Sequence, residues 1–131
     1  MDLPENRRYT PEHEWLRVGA DDPSVATVGI TDFAQDELGD VVFVAMPKVG
    51  THATRGQAFG EIESVKTVSE LFAPVGGEVI AVNEALMDHP ELVNSSPYDD
   101  GWMIRIRLAD PAEVASLLNA AGYRATLPAG T

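Results

Sequence analysis

The chain of 131 residues contains no cysteine. This absence excludes disulfide bonds, thiolate metal ligands and a cysteine nucleophile, and it is compatible with a cytosol-like compartment. The sequence also lacks any apolar run near the roughly 20 residues that a helix needs to cross a bilayer. The first ten residues, MDLPENRRYT, contain no apolar stretch like that of a secretory signal, and they include acids, which transit peptides avoid. We therefore expect no membrane span and no intact targeting segment.

Basic residues are scarce as well. Nine Lys and Arg stand against 21 Asp and Glu, which gives a formal net charge of −12. A surface of this charge repels a phosphate backbone, so we do not expect nucleic-acid binding. The acidic excess favours partners with basic docking surfaces, although a solvated acidic face is the simpler interpretation.

Groups that could carry catalysis or bind a metal are few and scattered. The three histidines, His13, His52 and His89, belong to no HExxH pattern. Asp99 and Asp100 are adjacent acids, but a solvated loop explains them more simply. No nucleophile stands beside a base in the sequence. A hydrolase is therefore disfavoured, and we predict neither catalytic residues nor a metal site.

The sequence does contain a series of short strand patterns separated by turn residues. Val41–Met46 is a continuous valine-rich run, typical of a strand buried on both faces. Trp102–Leu108 alternates apolar and polar residues, typical of a strand with one buried face. Thr31 and Asp32 can cap a short helix that Gly39 would end. Strands at this spacing, with helices at the margins, predict a mainly β fold, a small sandwich or barrel.

The C-terminal part is predicted to form a helix over about residues 111–121. Asp110 can cap this helix, Pro111 fits its first position, Glu113 completes a capping box and Gly122 would end it. The chain length allows one domain over residues 1–131, with a core at about residues 9–108.

One of only two lysines lies in the stretch GEIESVKTVSELFAP. If Val65 and Lys66 are the central residues of a tight turn, Ser64 faces Thr67 and the flanking residues pair as two strands. Neither central residue is Gly or Asn, so a type I turn is favoured. This register also places Glu61 opposite Glu70, a like-charge pair that argues slightly against it.

The β-branched residues around this turn would stiffen the hairpin, so it would hold Lys66 away from the body of the protein. Such a lysine suits covalent acylation, in which the protein supplies the position and a prosthetic group supplies the chemistry. An ordinary surface lysine is the alternative. Lys48 follows Pro47 in a separate turn, and we expect it to stay unmodified.

Five blocks of the sequence together resemble the H-protein of the glycine cleavage system, and they occur in the same order. The resemblance extends from Tyr9 to about Tyr123. The blocks are Tyr9–Trp15 (YTPEHEW), Val28–Asp32 (VGITD), Leu38–Val44 (LGDVVFV), Glu63–Lys66 (ESVK) and Leu92–Tyr98 (LVNSSPY).

The resemblance implies that Lys66 carries lipoate as an amide. It implies that Glu63, Ser64 and Val65 support the hairpin and are recognised by the lipoylating enzyme. It also implies a flattened barrel or sandwich of two antiparallel sheets, as in lipoyl and biotinyl carriers, with short helices and a C-terminal helix.

The function implied by the resemblance is that of a carrier subunit rather than an enzyme. The lipoyl group would take an aminomethyl group from the glycine decarboxylase P-protein to the aminomethyltransferase T-protein. The dihydrolipoamide dehydrogenase L-protein would then reoxidise it. We expect a monomer in the bacterial cytoplasm, or in the mitochondrial matrix if the chain is a processed eukaryotic form.

Glu14, within the His-Glu-Trp block, is a candidate for docking the loaded arm. The aminomethyl-loaded arm ends in an amine that is a cation near neutral pH. A carboxylate beside an apolar residue such as Trp15 could hold this cation by a charge-assisted hydrogen bond.

Four alternatives stay open at the level of sequence. A biotin carrier would have methionines beside its lysine, where this chain has Val65 and Thr67. A lipoyl domain of a 2-oxo acid dehydrogenase would lack the Tyr9–Trp15 block and the C-terminal helix. An H-like protein could relay octanoyl or lipoyl groups in lipoate metabolism. A structural adaptor would never be acylated at Lys66.

Overall fold

The short strands fold into two antiparallel sheets. The computed structural model describes residues 1–130. The strands are β1 Arg8–Tyr9, β2 Glu14–Val18, β3 Val25–Ile30, β4 Val41–Ala45, β5 His52–Ala53, β6 Ala58–Ser64, β7 Val68–Phe72, β8 Gly77–Val82 and β9 Ile104–Leu108. The helices are α1 Asp32–Leu38, α2 Ala85–Asp88, α3 Leu92–Ser95, α4 Ala112–Ala115 and α5 Ala120–Arg124. The predicted mainly β fold with short helices is confirmed, and no helix within residues 1–130 is long and apolar enough to cross a membrane.

The larger sheet has six strands in the order β1-β2-β3-β9-β8-β5, and the smaller has three in the order β4-β6-β7. Buried apolar residues from both sheets form one continuous core, with Leu16, Val28 and Ile104 from the larger sheet and Ile62 and Leu71 from the smaller. Because Ile62 and Leu71 are almost fully buried, they fix the β6–β7 hairpin to the body of the protein.

A second apolar cluster covers the other face of the larger sheet. Trp15 and Leu16 point to opposite faces of β2, so Trp15 joins Tyr9 and Tyr123 in this cluster rather than the main core. The rings of Tyr9 and Tyr123 stack with centroids 4.9 Å apart. Gly29, opposite Trp15 on β3, makes room for the indole, since an added Cβ would lie 2.8 Å from its ring atoms.

The prediction that Val41–Met46 is buried on both faces is wrong for the middle of this segment. β4 lies at the edge of the smaller sheet, and its register shifts between Val41 and Phe43. Such a bulge places an extra residue in the strand and redirects its side chains. Val42 and Phe43 are therefore 46% and 50% exposed.

The prediction of one C-terminal helix over residues 111–121 is also wrong, since the structure has two short helices, α4 and α5, in its place. Between them the backbone of Leu118 pairs with Tyr9, with N···O distances of 2.8 and 2.9 Å. Asn119 then caps α5 by accepting a hydrogen bond from the backbone N of Gly122, which lies inside that helix. Glu113 forms no capping box, because its Oε1 accepts from the backbone N of Gly76 at 2.9 Å.

Candidate functional site

The segment around Lys66 is the hairpin that its sequence predicts. Strands β6 and β7 pair with Glu63 opposite Val68 and with Glu61 opposite Glu70. The hairpin thus adopts the register that places Glu61 opposite Glu70, although this like-charge pair argues slightly against it. Both glutamates are exposed, so water screens their repulsion and it does not outweigh the burial of the other hairpin face.

Ser64 holds the turn together from inside. Its backbone N donates to Thr67 O at 2.8 Å, and its Oγ accepts from the backbone N atoms of Lys66 and Thr67 at 3.3 and 3.2 Å. No residue of the turn has a positive φ, which fits a type I turn and excludes the turn types that require glycine. The Ser64 side chain is buried, while Val65 and Lys66 are exposed at the tip.

The sequence predicts a hairpin that holds Lys66 away from the body of the protein, but in the structure the tip contacts another segment of the chain. The backbone N of Val65 donates to the backbone O of Asp40 at 3.0 Å. Asp40 lies in the corner between α1 and β4, so a third segment of the chain supports the turn. Rigidity at Lys66 therefore comes from this tertiary contact as well as from the β-branched residues of the hairpin.

The Lys66 side chain lies beside Gly39 in the same corner. Gly39 ends α1 with a φ of 77°, a conformation that favours glycine. A Cβ added at Gly39 would lie 3.5 Å from Cε of Lys66 and 3.9 Å from its Nζ. Within residues 1–130 Lys66 forms no ion pair. The amine is therefore exposed, unpaired and close to a glycine that leaves room along its stem.

An open cleft of about 260 Å³ lies next to the hairpin, between α1 and the inner edge of β7. Phe33 and Leu38 from α1, and Ile62 and Leu71 from the hairpin, make its walls apolar. Glu14 lies among the residues that line it. Ser69, one of the lining residues, follows Lys66 by three residues, so the two are separated by at most about 11 Å of chain.

Glu14 is a buried carboxyl group, 2% exposed. Its Oε1 accepts from Thr10 Oγ1 at 2.7 Å, and its Oε2 accepts from the backbone N of Phe72 at 3.4 Å. Burial disfavours the charged form and raises the pKa of Glu14 to about 7, although these two hydrogen bonds act in the opposite direction. The structure thus places a carboxyl that titrates near neutral pH against an apolar cleft.

The rim of the cleft is acidic. Glu12, Glu37 and Glu70 line it and are exposed. An apolar cleft with a carboxyl within and carboxylates around it suits a ligand that has an apolar stem and a cationic end. The sequence singled out Glu14 of this set and missed the other three. Only folding brings together glutamates from three different segments of the chain.

His13 is the other feature that the sequence did not reveal. It is the only residue other than glycine with a positive φ, 75°, among residues 1–130. Its Nδ1 lies 2.7 Å from the hydroxyl of Tyr123, and its ring packs against Phe33. Burial lowers the pKa of His13. From the sequence, this histidine is considered only as a possible metal ligand, and no metal site is predicted there. Within residues 1–130 the structure has no group of three or more His, Cys, Asp or Glu side chains that could hold a metal ion.

Comparison with known proteins places this geometry in a family context. The family model described as "Glycine cleavage H-protein" matches residues 7–129. The chain is 53% identical to the glycine cleavage system H protein of Geobacillus kaustophilus over 99% of this chain and 100% of that protein. It is 54% identical to the protein of the same name from Listeria monocytogenes serotype 4a over 97% of this chain and 99% of that protein. The crystal structure of a glycine cleavage system H protein from Mycobacterium marinum superposes with a TM-score of 0.85 at 38% identity, covering 94% of this chain and 97% of that one.

Proposed function

The chain belongs to the glycine cleavage H-protein family, and from that premise we propose that Lys66 is the residue to which its lipoyl group is attached, as an amide. H-proteins are the lipoyl carriers of the glycine cleavage system, and this chain is such a carrier subunit. The observation that carries the proposal is the placement of Lys66 at a braced hairpin tip beside the cleft. Membership of this family also decides against a biotin carrier and a 2-oxo acid dehydrogenase domain.

The residues around Lys66 fit the attachment of a long acyl arm. The amine is exposed and forms no ion pair within residues 1–130, so no partner has to be displaced before it reacts. Gly39 leaves space beside the lysine stem. The adjoining cleft offers apolar walls to the arm once it is in place. The lipoyl group would supply the chemistry, a disulfide that accepts a one-carbon unit and is later restored by oxidation.

The protein's own part in this cycle is presentation and shelter. A hairpin that holds the attachment point fixed raises the effective concentration of the arm at each docked enzyme. We propose that the docked enzymes are the P-protein, the T-protein and the L-protein of the glycine cleavage system, and that a lipoylating enzyme acts first. Glu63 and Val65, which are exposed, form the surface that the lipoylating enzyme meets next to Lys66, and the buried Ser64 supports the turn beneath them. The bacterial origin of the relatives supports the cytoplasmic alternative over the mitochondrial one.

We assign to Glu14 the retention of the aminomethyl cargo. The cargo ends in a cation near neutral pH, and Glu14 is the carboxyl that lies buried beside the apolar walls of the cleft. A carboxylate at this depth interacts with a cation more strongly than one in water, because less solvent screens the pair. The cleft would also keep water from the cargo while the carrier moves between enzymes.

Intact mass spectrometry of matched lysine variants tests the attachment site. The wild type and Lys48→Arg, produced in a host that makes lipoate, should each gain one lipoyl group, whereas Lys66→Arg should gain none. Since Lys66 is exposed, Lys66→Arg should change the free energy of unfolding by no more than about 0.5 kcal/mol. It should abolish aminomethyl transfer in a reconstituted system. A lipoyl group on Lys66→Arg, or loss of the group from Lys48→Arg, would refute the assignment.

A further inference from the structure

We propose that Asn94 is a positioning residue for the acylation of Lys66, acting through the corner between α1 and β4. Asn94 lies on α3, 28 residues along the chain from Lys66 and in another part of the fold. The inference rests on the proposed function, since it assumes that Lys66 is the acceptor of the acyl group. It adds a residue that fixes where the amine is presented.

The Asn94 side chain uses three hydrogen bonds to hold the corner. Its Nδ2 donates to the backbone O of Gly39 at 2.8 Å and to Oε1 of Gln35 at 3.1 Å. Its Oδ1 accepts from the backbone N of Val41 at 2.9 Å. A primary amide is one of the few side chains that can donate twice and accept once in this way. One side chain therefore joins the end of α1 to the start of β4.

The corner in turn holds the tip of the hairpin. The backbone O of Asp40, the residue between Gly39 and Val41, accepts a hydrogen bond from the backbone N of Val65 at 3.0 Å. Gly39 lies against the Lys66 side chain. The residues that flank Asp40 on both sides are thus the ones whose backbone Asn94 binds. A shift of this corner would move both the support of Val65 and the surface beside the lysine stem.

Acylation is sensitive to such a shift. The deprotonated Nζ of Lys66 attacks the carbonyl carbon of an activated lipoyl donor, a mixed anhydride of the acid with an adenylate. The new C–N amide bond forms, the anhydride C–O bond breaks, the adenylate leaves with the bonding electrons, and the nitrogen loses a proton to water. A displacement of about 1 Å between reacting groups can cost on the order of 100-fold in rate. The position of the corner therefore affects the rate at which Lys66 is acylated.

Asn83 provides a matched control elsewhere in the fold. Its Nδ2 also donates twice, to the backbone O atoms of Asp100 and Trp102, and its Oδ1 accepts from the backbone N of Ala85. An Asn83→Ala variant thus loses two donated hydrogen bonds and one accepted hydrogen bond, as Asn94→Ala does. None of these bonds reaches the hairpin or the corner at Gly39.

The first experiment uses the wild-type protein and measures amide hydrogen exchange by NMR. The backbone N–H of Val65 should be protected, because it is bound to Asp40. Asn94→Ala should raise its exchange rate at least tenfold, and Asn83→Ala should leave it within about twofold of the wild type. An unprotected Val65 amide in the wild type would overturn the proposal without any variant.

The second experiment measures acylation of the unmodified proteins with lipoate, ATP and a lipoate-attaching ligase, followed by intact mass. With Asn94→Ala as the acceptor protein, we expect the kcat of the ligase to fall about tenfold and its KM for the acceptor to stay within twofold of the wild-type value. With Asn83→Ala as the acceptor, both constants should stay within twofold. Asn94→Asp, which keeps the shape and the acceptor but loses both donated bonds, should also lower kcat. Circular dichroism checks the fold of each variant.

The outcomes separate this inference from the function on which it rests. If the wild type takes no lipoyl group, the proposed function fails, whatever the exchange rate at Val65. If the wild type is acylated and the folded Asn94 variants match Asn83→Ala in kcat, Asn94 is only a structural residue and the positioning role is refuted.

Discussion

Among single residues, Glu14 shows most directly how burial alters chemistry. Its carboxyl lies almost out of contact with water, and this desolvation raises its pKa from 4.5 to about 7. In the unfolded chain the same group would ionise near its ordinary pKa. The protein therefore stabilises the protonated form of Glu14, and ionisation of this group works against folding.

The pH dependence of stability follows from the direction of this shift. Well below pH 4.5 Glu14 is protonated in both the folded and the unfolded state, so it does not change the free energy of unfolding. As the pH rises from about 4.5 to 7 the unfolded state loses its proton first, so Glu14 lowers the free energy of unfolding, by up to about 3 kcal/mol at pH 8. Glu14→Gln removes this effect. Urea unfolding at pH 5 and pH 8 should show that the stability of Glu14→Gln relative to the wild type increases with pH.

An unchanged difference between the two proteins at these pH values would show that Glu14 is not held in a desolvated environment. Thr10→Val offers a further comparison. Thr10 Oγ1 donates to Glu14 Oε1 at 2.7 Å, and this bond favours the ionised form. Its loss should raise the pKa of Glu14 further and extend the decline in stability to a higher pH.

The same residue should control the lifetime of the aminomethyl cargo. We expect Glu14→Gln, once lipoylated and loaded, to release formaldehyde and ammonia at least severalfold faster than the wild type at pH 8, because it lacks the charge that pairs with the cargo. Glu61→Gln is the control, since Glu61 is exposed and does not line the cleft. Equal release rates for all three proteins would remove Glu14 from the site.

The β6–β7 hairpin shows how an element gives a side chain a direction. In a strand, neighbouring side chains point to opposite faces, so moving a lysine by one residue redirects it. In the tip this effect is strengthened by Ser64, whose Oγ holds the backbone N atoms of both Lys66 and Thr67. A lysine in the neighbouring position cannot recover the original direction by a small twist of the turn.

Exchange of Lys66 with a neighbour tests this requirement. Lys66→Thr combined with Thr67→Lys keeps composition and charge, and it should be lipoylated at least tenfold more slowly than the wild type because the amine is misdirected. Val65→Lys combined with Lys66→Val should be slowed similarly, although it brings the amine nearer to Glu63. Circular dichroism confirms folding, and mass spectrometry follows the acylated fraction over time. Modification of both variants at the wild-type rate would mean that the enzyme accepts any lysine in this acidic context.

For the molecule as a whole, charge is distributed unevenly between the two sheets. The exposed face of the smaller sheet carries Glu61, Glu63 and Glu70 around the lysine hairpin. The larger sheet places Arg17 and Arg105 opposite the same residue of β3, Thr27, on its outer face. The acidic side that surrounds Lys66 therefore faces away from the arginines, so a basic partner surface is attracted toward the hairpin.

Salt should consequently weaken the encounter with the enzymes of the system. We expect the association rate of the lipoylated chain with the P-protein to fall as salt rises from 0.01 to 0.15 M, because the Debye length shortens from about 30 to 8 Å. Glu61→Gln should lower this rate more than Asp21→Asn, since Asp21 lies in the turn between β2 and β3, away from the hairpin. Stopped-flow fluorescence measures both rates. An association rate that does not change with salt would show that the net charge of −12 contributes only to solubility.

The sequence by itself determined the features that depend on local physics. The turn chemistry of Val65 and Lys66 and the alternation on either side set the register of β6 and β7, including the pair Glu61–Glu70. Thr31 at the start of α1 and Gly39 at its end define a helix through short-range capping bonds. The blocks that resemble the H-protein family predicted the family, which the comparisons confirm, and they predict Lys66 as the attachment site.

Other features were decided only by the tertiary structure, because they join segments far apart in the chain. The C-terminal helix divides where Leu118 pairs with Tyr9, and no helical pattern within residues 111–121 records that partner. Val42 and Phe43 are exposed because β4 lies at a sheet edge and is bulged between Val41 and Phe43. Their apolar character alone predicts that they are buried. The contacts of Asn94 with the corner at Gly39 and the burial of Glu14 beside the hairpin arise in the same way. Each requires the packing of the sheets and helices to exclude water and to bring distant backbone groups within hydrogen-bonding distance, which no local propensity specifies.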